Sequence, residues 1–322
     1  MIIEEINNYK NASDIHKKIR KELNHFIKED TNLIDISTFI EHKIKKYSDK
    51  NQINNGIAFP VGLSLNNIAA HWTPSQNCIT TLNYNDVLKI DYGVHKNGCI
   101  IDSAFTWCPN PIYNNLLDAS KETVYSLIKH IGVDSMISEI GILAEEMVKS
   151  YEIEIDGILK PIVPIDKLCG HSIKPWNIHA GKYIQNIKNN DNTKIEENDI
   201  LAIEVFTSTG TGNTYMGKSN SHLMLNNNIP KNYNYKLTQR SQEILDIIKT
   251  RFKTLAFTQK YLDLYSPIKY YEPCLAELYN KSILKKYPPV IEYDKNSKIA
   301  QFEHTILVSE NININFSIDD DY

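Results

Sequence analysis

Between residues 11 and 50 the apolar positions fall three and four apart: Ile15, Ile19, Leu23 and Phe26, then Ile36, Phe39, Ile40 and Ile44. That spacing puts one apolar stripe on each of two amphipathic helices, read as an entry module to a larger unit. From 56 to 107 the pattern changes to short apolar runs separated by turn residues, which predicts strands. Helical spacing returns over 114–150, with Leu116, Leu117, Val124, Leu127, Ile128 and Ile131 on one stripe. Residues 158–184 read as loop and short strand around GHSI and IHAGK, and the Asn-rich IQNIKNNDNTKIEEND as a surface connection to the strand DILAIEVFTSTG. After a strand ending near SHLML, residues 238–285 are helical again, with Ile244, Ile248 and Phe252 in step, and IAQFEHTILVS is the last clear strand. There is no internal repeat. The mixture predicts one α+β domain of about 250 residues or more carrying a helical insertion.

Two of the predicted strands break the pattern. In KIDYGVHKNGCIIDSAFTW, Asp91 and Asp102 sit inside apolar runs that flank Lys96-Asn97-Gly98, a hairpin turn signal. A four-residue loop pairs Asp91 with Asp102; a two-residue Asn-Gly turn pairs Asp91 with Ala104. In either register the two aspartates share a face, because the registers differ by two and the strand period is two. Like charges that close repel, so the face needs a shared proton, a cationic side chain such as Lys89, or a metal ion. Glu204 in ILAIEVF and Glu303 in AQFEHTILV repeat the anomaly. Four isolated buried carboxylates are very unfavourable, but they suit an oxygen-rich site for divalent cations. His71, His171, His179 and His222 are the nearby nitrogen donors by sequence context, and the spacing does not choose among them.

Composition excludes more than it selects. The 322 residues are 42% hydrophobic and 23% charged, with a net charge of -4 spread along the chain. That is an ordinary soluble composition with no basic footprint for nucleic acid and no membrane patch. The five cysteines, Cys78, Cys99, Cys108, Cys169 and Cys274, show no CxxC spacing and read as reduced thiols. The charged N-terminal segment is unlike a signal peptide and no run of 18 apolar residues occurs, so a cytoplasmic location is expected.

In order along the chain, AFPVGLSLNNIAAHWTP, LKIDYGVH, IIDSAFT, GHSI, IHAGK, AIEVFTSTG, SHLM, YPP, FEHTIL and the terminal DDY resemble the type 2 methionine aminopeptidases. A match of many motifs in order is far more specific than any one of them. The resemblance implies the pita-bread fold, two similar αβ halves around a dinuclear metal centre, with residues 1–322 as one catalytic domain and 229–290 as the helical insertion of the type 2 class. It implies two divalent ions (Mn, Co, Fe or Zn) held by Asp91, Asp102, His171, Glu204 and Glu303, with Asp102 and Glu303 bridging. It makes Glu204 the proton shuttle, His179 the group that stabilises the oxyanion, and His71 the group that orients the scissile nitrogen and is alkylated by fumagillin-type epoxides. The methionine pocket it implies is Phe59, His71, Ile178, His179, His222, Ala256 and Tyr287. Partners are then peptides and nascent chains that begin with Met, and the expected state is a monomer. The long charged N-terminal extension of many eukaryotic members is missing, so ribosome association is not carried over and at most a transient contact is left open. Thr207, Lys174-Pro175-Trp176 and one extra residue between YPP and FEHT depart from the family pattern and bear on pocket shape. Two alternatives remain: an Xaa-Pro peptidase of the same fold, which usually carries a sizeable N-terminal domain, and a catalytically inactive pita-bread binding protein, which would have lost ligands.

Overall fold

The computed structural model describes residues 3–48, 53–218, 222–226 and 236–320. Ser221 of the SHLM motif, residues 229–235 of the expected insertion and the terminal Asp321-Tyr322 therefore lie outside the described residues.

Two helices, α1 (Ile3–Phe26) and α2 (Leu33–Tyr47), open the chain. Asn32 caps α2 by accepting the Ile34 N–H at 3.0 Å. The strands β1 (Asn55–Leu65), β2 (Ile68–Ala70), β3 (Leu88–Lys96) and β4 (Cys99–Trp107) follow, then helices α3 (Asn114–His130) and α4 (Ile137–Lys149). Next come β5 (Glu152–Ile155), β6 (Ile158–Pro161), β7 (Val163–Pro164), β8 (Cys169–Ile173), β9 (Tyr183–Gln185), β10 (Ile200–Ser208), β11 (Thr214–Met216) and β12 (His222–Leu225). Three helices, α5 (Gln239–Arg251), α6 (Gln259–Leu262) and α7 (Glu272–Asn280), precede β13 (Leu284–Tyr287), β14 (Val290–Glu292), β15 (Ile299–Leu307) and β16 (Ile314–Asn315).

Two antiparallel sheets dominate. The first has the order β1-β3-β4, and the second runs β16-β15-β10-β8-β9 with β7 also on β10. Stripe residues of α1 and α2 (Ile19, Leu23, Ile36, Ile40) and of α3 (Leu116, Val124, Leu127) belong to one buried core with both sheets, as the helical spacing requires. Each sheet thus carries its own helix pair, giving the α+β pita-bread architecture of two αβ halves. β4 and β15 meet through side chains rather than a backbone ladder. Ser103 Oγ donates to the Glu303 carbonyl at 2.7 Å, Thr106 Oγ1 to that of Gln301 at 2.8 Å, and Thr305 Oγ1 to that of Asp102 at 2.6 Å. Hydroxyls at this seam satisfy buried carbonyls that no strand reaches.

The region expected to be helical over 238–285 consists of three separate helices. Leu223, Ile244, Ile248, Phe257, Leu262 and Leu278 form a second core beneath them. The stretch expected as loop around GHSI also holds more strand than predicted, because β8 and β9 are too short to show a period of two.

Candidate metal centre and active site

The hairpin register is the two-residue one. Asp91 faces Ala104 and Gly93 faces Asp102, with the turn at Asn97 and Gly98, both at positive φ (50° and 84°). The Asn-Gly pair supplies that left-handed backbone at little cost. The aspartates are therefore diagonal neighbours on one face. In the second sheet Glu204 lies directly opposite Glu303, and His171 pairs with Ala202, two residues from Glu204 and so on the same face. The seam between β4 and β15 brings the two acidic faces together.

One cavity is lined by all twelve residues singled out in the sequence: Asp91, Asp102, His171, Glu204 and Glu303; His71 and His179; and Phe59, Ile178, His222, Ala256 and Tyr287. Asp102, His171 and Glu303 each offer a ligand atom within 4.8 Å of the others, and His171 Nε2 lies 3.5 Å from Asp102 Oδ2. These three are buried, whereas Asp91 and Glu204 keep some surface open to the cavity. Burial pushes the Asp91 carboxyl up to about 7. Burial, followed by the charge of Asp91, pushes Asp102 well above the carboxylate range. Burial and then neighbouring carboxylates do the same to Glu204 and Glu303. Burial and then His179 hold His171 well below its ordinary range.

The countercharge is not Lys89. Its side chain shares the strand parity of Asp91, but it is buried and donates instead to the carbonyls of Asn66 at 2.6 Å and Val87 at 3.5 Å. Besides His171, the neutral amide of Gln301 reaches the acids, at 3.2 Å from Glu204 Oε2 and 3.4 Å from Glu303 Oε2. Asp91 Oδ1 is buried with no hydrogen-bond partner among the described residues. Four carboxylates and an imidazole, with an orphaned oxygen and no cation against them among the described residues, are a donor set that fits divalent metal ions.

The remaining wall is made of histidines and apolar groups. His179 stands edge-on to His171 with ring centres 4.5 Å apart, and His71 and His179 each lie 5.9 Å from the Tyr287 ring. Burial lowers both imidazoles to about 4, helped by His179 in the case of His71 and by Lys285 in the case of His179. His71 itself is at φ 62°, a left-handed position rare for a side chain of this size. His222 lies within hydrogen-bond distance of the carbonyls of His71 (Nδ1, 3.1 Å) and Pro60 (Nε2, 3.2 Å), so it braces that turn as well as lining the pocket.

Sequence reasoning missed Gln301 and Met224. Each lies two residues from a residue it had named, Glu303 and His222, on the same strand, so strand parity alone places them on the cavity face. The departures lie further out. Thr207 is buried and donates to the Leu116 carbonyl at 2.9 Å, and Trp176 packs over the hairpin tip, 5.2 Å from the His95 ring.

A family model for metallopeptidase family M24 matches residues 7–310. Methionine aminopeptidase 2 of Komagataella phaffii is 38% identical over 98% of this chain and 70% of its own length. Methionine aminopeptidase 2A of Arabidopsis thaliana is 39% identical over 98% of this chain and 71% of its own. The chain belongs to the type 2 methionine aminopeptidases, within metallopeptidase family M24. It is therefore a metalloexopeptidase that uses divalent metal ions. Solved structures agree on the fold: a thermophilic Arx1 superposes with a TM-score of 0.80 at 18% identity, over 99% of this chain and 92% of that one. The methionine aminopeptidase of Thermotoga maritima gives 0.67 at 17% identity, over 99% and 98%. The prolidase of Pyrococcus furiosus gives 0.59 at 14%, over 99% and 65%. Among the described residues no helix is long and apolar enough to cross a membrane.

Proposed function

We propose that this chain removes the N-terminal methionine from peptides and nascent proteins in the cytoplasm, with Asp91, Asp102, His171, Glu204 and Glu303 holding two divalent ions. The observation that carries this reading is one cavity in which four carboxylates and His171 converge with no countercharge among the described residues, walled on its other side by apolar and aromatic groups. Bound there, two such ions would supply an acidified water and polarise a carbonyl.

The side chains do the rest. Asp102 and Glu303, which with His171 lie within 4.8 Å of one another, would serve both ions, Asp91 one of them, and His171 with Glu204 the other. Glu204 accepts the proton of the attacking water and hands it to the departing amine. His179 and His71 are neutral at pH 7, since burial pushes both down to about 4. Each is thus a neutral hydrogen-bond partner: His179 steadies the developing oxyanion and His71 orients the scissile nitrogen. Phe59, Ile178, His222, Ala256 and Tyr287, joined by Met224, surround the unbranched thioether, and the aromatic rings suit contact with sulfur. Residues 229–290 act as the type 2 insertion, and its Ala256 and its Tyr287 close this pocket.

The test is substrate competition. Manganese- or cobalt-loaded protein, given equal Met-Ala-Ser and Ala-Pro-Ser peptides, is expected to release methionine from the first and leave the second intact, as followed by mass spectrometry. Cleavage of the Xaa-Pro peptide alone would assign the chain to the proline-specific branch, and cleavage of neither would favour a binding protein.

A further inference from the structure

A second cavity lies behind the methionine pocket, and Ala256 lines both. It is bounded by Lys45 at the end of α2, His95 on β3, Arg251 at the end of α5, and the rings of Phe252, Tyr261 and Tyr265. Among the described residues, Ala256 is the one member of the first cavity that also lines it, and no carboxylate does.

Its polar groups are unmatched. His95 is 2% exposed, and its Nδ1 accepts the Gly98 N–H at 3.3 Å. An imidazole whose Nδ1 accepts carries its proton on Nε2. That Nε2–H, on the far side of the ring from the turn, donates to no described acceptor and keeps some accessible surface. Lys45 and Arg251 form no ion pair with a described acid; the Arg251 guanidinium rests 4.8 Å from the Tyr265 ring centre. Glu41, four residues before Lys45 on α2, is already engaged by Lys260 at 2.5 Å, by the Tyr261 hydroxyl at 2.9 Å and by Ser37 at 3.2 Å. An aromatic-walled cavity with one ring donor open on its wall, and two cations at its rim that pair with no described acid, has the chemistry of an anion site.

We propose that this cavity is a second ligand site, for a small monoanion with an aromatic or branched apolar body: the rings take the body, and His95 Nε2–H and Arg251 take the carboxylate, with Lys45 adding charge at the rim. Arg is suited to this by its planar fork of donors.

The proposal is tested as binding, independently of the peptidase reading. Phenylacetate and its neutral match phenylacetamide are titrated into metal-loaded protein by ligand-observed NMR, with L-methionine saturating the catalytic cavity. Phenylacetate is expected to bind at least about tenfold tighter than phenylacetamide. Arg251→Gln, on an exposed side chain, and His95→Phe, which keeps a ring but loses the donor, are each expected to weaken phenylacetate about tenfold or more, a loss typical of one charge-assisted hydrogen bond. Should His95→Phe fail to fold, Lys45→Gln together with Arg251→Gln decides the matter. Displacement of phenylacetate by L-methionine, equal binding of the amide, or binding untouched by Arg251→Gln would each overturn the site.

Discussion

Asp102 is 4% exposed and Glu303 2%; after burial, Asp91 raises the cost of ionising Asp102, and Asp102 that of ionising Glu303. A buried acid of this kind is unfavourable in the metal-free protein and favourable once a cation neutralises it. Asp102→Asn is therefore expected to abolish metal uptake and lower kcat/KM by at least about a hundredfold, while leaving the melting temperature of the metal-free protein unchanged or higher. Calorimetric metal titration and thermal melts check both; retained metal binding would remove Asp102 from the ligand set. His179 gives the complementary outcome. His179→Ala is expected to keep metal content and lower kcat about 10²–10³-fold, as for the loss of one oxyanion donor. A fall in metal content would instead make it a ligand. At His71, a fumagillin-type epoxide is expected to leave a covalent adduct that peptide mass spectrometry places on that residue.

The β3–β4 hairpin shows how an element positions a pocket. Gly93 is paired both with Asp102 and with Phe59, and a Cβ at Gly93 would lie 2.2 Å from the Phe59 ring. Gly93→Ala must displace that ring from the methionine pocket. The expected outcome is a rise in KM for methionyl peptides larger than any fall in kcat, read from steady-state kinetics; an unchanged KM would show that Phe59 does not define the pocket. The same hairpin marks what local sequence carries. Strand parity put Asp91 and Asp102 on one face whichever turn formed, and the Asn97-Gly98 signal belonged to the register that did form. Parity also implied Lys89 as a partner, and there it failed. A flexible lysine follows the nearest carbonyls, and those of Asn66 and Val87 come from chain packing that no strand pattern encodes. The convergence of β4 on β15 was equally illegible, because it depends on hydroxyls of Ser103, Thr106 and Thr305 meeting carbonyls about 200 residues away. The choice of His171 over His179 came from the resemblance alone.

Across the whole molecule, α1 ties the first sheet to the C-terminal segment. His16 stacks on Tyr92 at 4.0 Å, its Nε2 lies 3.0 Å from the Tyr92 carbonyl, and Arg20 Nη1 donates to the Ser317 carbonyl at 2.9 Å. Burial, and next the charge of Arg20, push His16 down to about 3. In the unfolded chain the same imidazole keeps its ordinary value near 6.5. Between these values the unfolded state binds a proton that the folded state refuses. The stability contributed by neutral His16 is thus full above about pH 6.5 and is lost as pH falls towards 3, at up to about 1.4 kcal/mol per pH unit. Urea midpoints at pH 7 and pH 5 are expected to fall less steeply for His16→Gln than for the wild type; equal slopes would contradict this. At this scale the helix–strand alternation and the multi-motif match made the α+β pita-bread fold legible. The division of 238–285 into three helices was not, since their turns are set by the second core rather than by apolar period. The central claim is that the acids of the two sheets form one two-metal site. Crystals grown with Mn(II) and measured at the manganese absorption edge test it directly. Two anomalous peaks in the cavity, flanked by Asp102 and Glu303, are expected; no peak there, or peaks away from Asp91, His171 and Glu204, would contradict it.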